Sequence, residues 1–259
     1  MQTVMFSETV FGPIHSRRLG TSLGINLSPR DGKVCTFDCL YCEAGYNAQG
    51  IGTTGLPRRA EVASLLEQRL QQLRDQGVTI DVITFSGNGE PTVNPDFAEI
   101  IDDTIALRDR YYPAARVSVL CNSTMLHRPA VVAALQRADN FIMKLDSAIQ
   151  RTVELLDRPT SPAFDVATVI EQLAAMGPQI IIQTMLTYGS HEGEDVDNTT
   201  DAEIEALCEA YRRIAPRQIM LYSLDRPTPE QSLHKVEHER LAAIGERITA
   251  ATGIAVSIA

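Results

Sequence analysis

Cys35-Thr36-Phe37-Asp38-Cys39-Leu40-Tyr41-Cys42 carries three of the chain's five cysteines, spaced C-x₃-C-x₂-C. Three thiolates so close together share one space or are parted by a folded loop. A structural zinc usually takes four protein ligands, and no fourth cysteine or histidine follows within several dozen residues. Thiolates also hold iron–sulfur clusters, whose full set is four. Three thiolates leave one iron of a cube open to an outside ligand, which is a catalytic arrangement more than a scaffolding one. Cys121 and Cys208 are too few for a second cluster. Cys208 falls in a helical pattern and reads as a small core residue, and Cys121 sits at a strand end.

The chain has 259 residues with ordinary apolar content, and we expect one domain spanning 1–259. No apolar run reaches the length of a membrane span, and the first ten residues do not resemble a secretory signal. Free cysteines suit a reducing compartment, so the expectation is cytoplasmic with no membrane partner. The formal charge of −10 does not favour nucleic acid as a partner. Local basic pairs, Arg17-Arg18 and Arg58-Arg59, leave that partner open, although the second pair reads as solvated surface.

Outward from the cysteines, the chain alternates strands and helices. The first residues read as a short strand at 3–6 and a turn at 11–14. A strand at 22–27 precedes the cysteine loop, and the glycines of 43–57 suggest a flexible connection. Helix 60–76 follows, on leucine spacing. Strands are expected at 81–85, 116–120, 140–145, 179–186 and 218–222, separated by helices at 96–110, 128–137, up to 176, and 201–214. Helix 236–251 and strand 254–258 close the chain. This alternation implies parallel strands joined by right-handed crossovers, in an open barrel or a doubly wound sheet. Either architecture gathers chemistry at the C-terminal strand ends. Those ends read Ser86-Gly87-Asn88-Gly89-Glu90-Pro91, Cys121-Asn122-Ser123-Thr124, Lys144-Leu145-Asp146, Gln183-Thr184 and Tyr222-Ser223-Leu224-Asp225.

The glycine loop lacks the third glycine of a dinucleotide fingerprint, and Pro91 interrupts the turn into a helix. Lys144 and Asp146 flank Leu145 and share one face of a strand. His234-Lys235-Val236-Glu237-His238 matches an inverted zinc-protease pattern, but too little chain follows for a distant third ligand, so surface helix residues are the better reading.

The cysteine spacing, with Tyr41 before the last thiol, resembles the signature of the radical SAM superfamily. Gly87-Asn88-Gly89-Glu90 resembles that family's Gly-Gly-Glu element, with Asn88 inserted. Phe11-Gly12-Pro13-Ile14-His15-Ser16-Arg17-Arg18-Leu19-Gly20 and Leu224-Asp225-Arg226-Pro227 extend the likeness to a group of small iron–sulfur oxidoreductases placed with the wyosine-tRNA enzymes. The wyosine enzymes carry extra N-terminal cysteines, whereas none precedes Cys35 here. The resemblance implies a partial (β/α)₆ barrel with short N- and C-terminal extensions. It also implies a 4Fe-4S cluster on Cys35, Cys39 and Cys42. S-adenosylmethionine would be bound at the open iron, near Tyr41, Gly87, Asn88, Gly89, Glu90, Asn122, Ser123, Lys144, Asp146, Gln183 and Tyr222. Reductive cleavage would yield a 5′-deoxyadenosyl radical that abstracts hydrogen from a small molecule or modified nucleoside. An electron donor such as flavodoxin or ferredoxin is implied. Two alternatives stand beside it: an activase acting on a partner protein, and a non-enzymatic cysteine–metal protein.

Overall fold

The computed structural model describes residues 4–16 and 20–259; Arg17 and Arg18 lie outside them. The apolar runs form seven parallel strands. They are β2 (Gly20–Ile25), β3 (Val82–Phe85), β4 (Arg116–Cys121), β5 (Asn140–Lys144), β6 (Ile181–His191), β8 (Gln218–Ser223) and β10 (Val256–Ile258). They pair in the order 2-3-4-5-6-8-10. The first strand never meets the last, so the sheet curls into an open barrel.

Helices fill the crossovers: α1 (Arg59–Asp75), α2 (Phe97–Tyr111), α3 (Pro129–Leu135), α4 (Gln150–Leu156), α5 (Val166–Ala175), α6 (Asp201–Ile214) and α7 (His238–Thr252). Alternation decides the two faces of each strand. Val119, Cys121, Phe141, Met143, Ile182 and Leu221 pack outward against the helices. Leu120, Ile142, Ile181 and Met220 meet on the concave side.

Four stretches depart from the expectation. The short strand expected at 3–6 is absent among the described residues, and the turn expected at 11–14 lies inside a strand. That strand, β1 (Val10–Ser16), runs antiparallel to β2, with its register shifted between Phe11 and Ile14. Gly12-Pro13 falls in that shift, at the sheet edge, where a missing backbone donor costs least. β6 runs past the barrel and gains two antiparallel neighbours, β7 (Glu194–Asp197) and β9 (Leu233–Lys235). Residues 43–57 are laced down: Asp31 accepts from the backbone and hydroxyl groups of both Thr53 and Thr54 at 2.6–3.1 Å.

Arg58 and Arg59 pair with Asp96 and Asp103 at the surface. His234 stands on β9 while His238 opens α7, so the two do not share a helical face.

Candidate active site at the strand ends

Two residues beyond the concave apolar layer, the side chains turn polar. Asn122, Lys144, Gln183 and Tyr222 follow Leu120, Ile142, Ile181 and Met220 at the same alternation. Leu120 and Ile142 are register partners, as are Lys144 and Gln183. Four of the polar strand-end candidates therefore lie on one curved wall at the barrel mouth.

The cysteine loop closes over this mouth. Phe37, Cys39, Leu40 and Tyr41 pack with Leu156, Met185, Val196 and Leu233, and Cys35, Cys42 and Tyr222 border the same cluster. Lys33, almost fully buried, donates to the Gly45 carbonyl at 2.7 Å and faces Asp38 at 3.7 Å. Asn47 donates to the Phe37 carbonyl at 3.1 Å. Protein groups thus hold the loop on several sides.

Below it sits a buried charge set. Tyr41 donates its hydroxyl to Asp146, and also to Asp157 at 3.2 Å. Lys144 donates to the same hydroxyl, stands 4.5 Å from the ring centre and lies 3.3 Å from Asp146. Asp146 also accepts from the Met185 backbone at 2.9 Å. Burial, then Asp146, pushes the Asp157 carboxyl well above the usual carboxylate range. Burial opposes the charge of Lys144, but Asp146 together with Tyr222, Cys39 and Asp157 outweighs it and raises the ammonium pKa. Asp157, at the end of α4, was not singled out from sequence; no spacing links it to the cysteines.

The Gly87–Glu90 loop is held from several sides. Asn88 is fully buried, and its amide bridges the Phe6 backbone and the Pro29 carbonyl. Glu90 accepts from the backbone and hydroxyl of Thr92 and from the Asn122 backbone at 2.7 Å. Burial raises its pKa, and these bonds partly offset that. Gly89 pairs with Val34, and a Cβ there would stand 1.9 Å from the Val34 carbonyl oxygen. A Cβ at Gly87 would meet the Asn26 side chain at 2.3 Å. Gly89→Ala is expected to cost about 3 kcal/mol by overpacking against backbone, read as lower thermal stability of the metal-free protein. Unchanged stability would show that the loop has room to move.

Asn122 joins this loop to the cysteines. Its amide donates to Thr36 at 2.9 Å and approaches the Cys35 sulfur at 3.6 Å. Ser123, at φ 70°, donates to the Lys144 carbonyl at 2.9 Å. The buried Nδ2 of Asn26 has no partner among the described residues.

The donor set fits an iron–sulfur cube better than a single ion. A structural zinc would take a fourth protein ligand, whereas three thiolates bind a cube and leave one iron open. Burial, then Glu90, pushes Cys35 up to about 11, and burial, then Asp157, pushes Cys39 well above its ordinary value. Buried thiolates need nearby cationic charge, which iron supplies. Cavities of 710 and 610 Å³, sharing Arg116 and Asn140, open at the opposite end of the barrel and touch none of these residues.

Comparison with known proteins gives a consistent result. The sequence profile of the Radical SAM superfamily matches residues 31–202. A UPF0026 protein of Helicobacter pylori strain J99 is 27% identical over 236 residues, covering 90% of this chain and 71% of that protein. A radical SAM methyltransferase from Sphaerobacter thermophilus superposes with a TM-score of 0.64 at 18% identity. That match covers 92% of this chain and 65% of the methyltransferase. TYW1, solved with a lysine-pyruvate adduct, superposes with a TM-score of 0.62 at 12% identity, covering 90% and 75%. At these identities the two structures share the fold.

Proposed function

This chain belongs to the radical SAM superfamily, and from that premise we propose that it is an enzyme abstracting hydrogen from a small molecule or modified nucleoside. Its family uses a 4Fe-4S cluster and S-adenosylmethionine. When bound and reduced, that pair supplies a 5′-deoxyadenosyl radical and methionine. The observation that carries the reading is the cysteine loop seated over the polar strand ends, with Asn122 touching both the Cys35 sulfur and Thr36.

In this reading residues 1–259 form one radical SAM domain. Cys35, Cys39 and Cys42 would hold the cluster. Gly87, Gly89 and Glu90 would face the methionine end of S-adenosylmethionine, and the glycines let a ligand approach backbone carbonyls. Asn88 would keep this loop in shape. Lys144, Asp146, Asn122, Ser123, Gln183 and Tyr222 would orient its carboxylate and ribose, and Tyr41 its adenine. Packing of Phe37, Leu40 and Met185 over the mouth keeps water from a reactive radical. A flavodoxin- or ferredoxin-type donor would supply the electron, and the setting would be the cytoplasm.

The test is anaerobic reconstitution, followed by iron and sulfide analysis and product detection under dithionite. One cluster per chain and formation of 5′-deoxyadenosine are expected, with slow turnover in the absence of substrate. Stoichiometric zinc with no cluster would overturn the reading. Cys208→Ala should leave iron content unchanged, because Cys208 is buried on α6 among core residues; a loss of iron would contradict the three-cysteine assignment.

A further inference from the structure

The turn after α4 runs antiparallel to the cysteine loop and forms a short ladder with it. Leu40 donates its backbone N–H to the Leu156 carbonyl at 2.9 Å, and Asp38 to the Asp157 carbonyl at 3.0 Å. Phe37 bridges Pro159, and Thr160 donates to the Thr36 carbonyl at 2.9 Å. Residues 36, 38 and 40 thus bond to the strap 156–160 with the period of an extended strand. Arg158 turns the strap at φ 50°. Its guanidinium lies 5.2 Å from the Tyr46 ring centre and 3.8 Å from Asp38.

The strap also brings in a side chain. Asp157 is 2% exposed, and its Oδ1 accepts from the Cys39 thiol at 3.5 Å and from the Tyr41 hydroxyl at 3.2 Å. Cys39 and Tyr41 lie on a turn closed by the Cys42 N–H to the Cys39 carbonyl at 3.1 Å, and both side chains reach the same oxygen. One carboxyl group therefore holds both. A cysteine side chain has three staggered positions about χ1, and this contact selects one of them.

We propose that Asp157 is a positioning residue for the cluster loop: carried on the strap 156–160, it sets the direction of Cys39 before iron arrives. The strap acts as a template, so iron meets thiols already aimed. The proposal rests on the reading of Cys39 as a cluster ligand, but its first tests need no iron.

In metal-free protein under anaerobic conditions, cysteine alkylation is followed by peptide mass spectrometry. Asp157→Ala should raise the rate at Cys39 about fivefold, the factor that one weak hydrogen bond carries, and leave Cys208 unchanged. Asp157→Asn, whose amide can keep both contacts, should restore the native rate. After reconstitution, Asp157→Ala should displace the g-values of the reduced cluster at equal iron content, and Asp157→Asn should return them. Native alkylation rates and native g-values in Asp157→Ala would overturn the proposal. Should Asp157→Ala fail to fold, hydrogen exchange on the unsubstituted metal-free protein decides: slow exchange at the Asp38 and Leu40 amides supports the template, and free exchange refutes it. Failure of the cluster reading would instead appear as absent iron in the unsubstituted protein.

Discussion

Replacing any one of Cys35, Cys39 or Cys42 by alanine abolishes 5′-deoxyadenosine formation: this is the largest effect expected of any substitution. Three thiolates are the whole protein ligand set proposed for the cube, so the loss of one removes or misligates the cluster. The loop itself should persist. Its backbone is held by Asp157, Leu156 and Thr160, and its side by Lys33 and Asn47, none of which uses the side chain of Cys35 or Cys42. The Cys35 and Cys42 variants should therefore unfold near the native temperature while containing less iron. Mass spectrometry of the products and iron per chain are the measurements. A variant with full iron and native product yield would refute the assignment of that cysteine. Methylthioadenosine in place of 5′-deoxyadenosine would leave the site standing and change the bond that is broken.

The second large effect concerns the charges beneath the loop. Asp146→Asn alone should cost about 1–2 kcal/mol, the scale of a lost or weakened buried hydrogen bond, and Asp157→Asn, whose amide keeps both contacts, less. The remaining carboxyl still faces Lys144, whose side chain is 18% exposed, and can supply its counter-charge. The double variant leaves a buried ammonium with no acid near it, which costs about 3–5 kcal/mol. The double should thus exceed the sum of the singles, in urea unfolding of the metal-free protein at neutral pH. Additivity within about 0.5 kcal/mol would mean that the two carboxyls do not share this role.

Much of the barrel was legible because its strands alternate between helix-facing and concave residues. The expected α6 boundaries, 201–214, match the observed ones, since Thr200 caps its start by accepting from the Glu203 backbone. Asn122, Lys144, Gln183 and Tyr222 came into view as the polar C-terminal ends of successive strands, where either architecture gathers its chemistry. Other features carry no local signal. β7 reads Glu-Asp-Val-Asp, and it is a strand only because the overlong β6 offers it a ladder. The edge strand β1 was hidden by Gly12-Pro13. Neither the strap nor Asp157 could be read from periodicity, since their partners are distant in the chain. Asn88 and Glu90 were legible as residues of interest, but not the several backbone groups that each of them holds.

The strap gives the protein an order of assembly. Cys39 and Asp157 are 118 residues apart, and Tyr41 and Asp157 are 116 apart. Bringing such distant segments together carries a loop-closure cost, and contacts of that separation form slowly. On a ribosome the cysteines emerge long before residue 160, as the chain grows from its N-terminus. Through that interval the loop has no template, and its thiols are free to take up stray metal or to oxidise. If those three thiols hold the cluster, its loading would follow synthesis past α4.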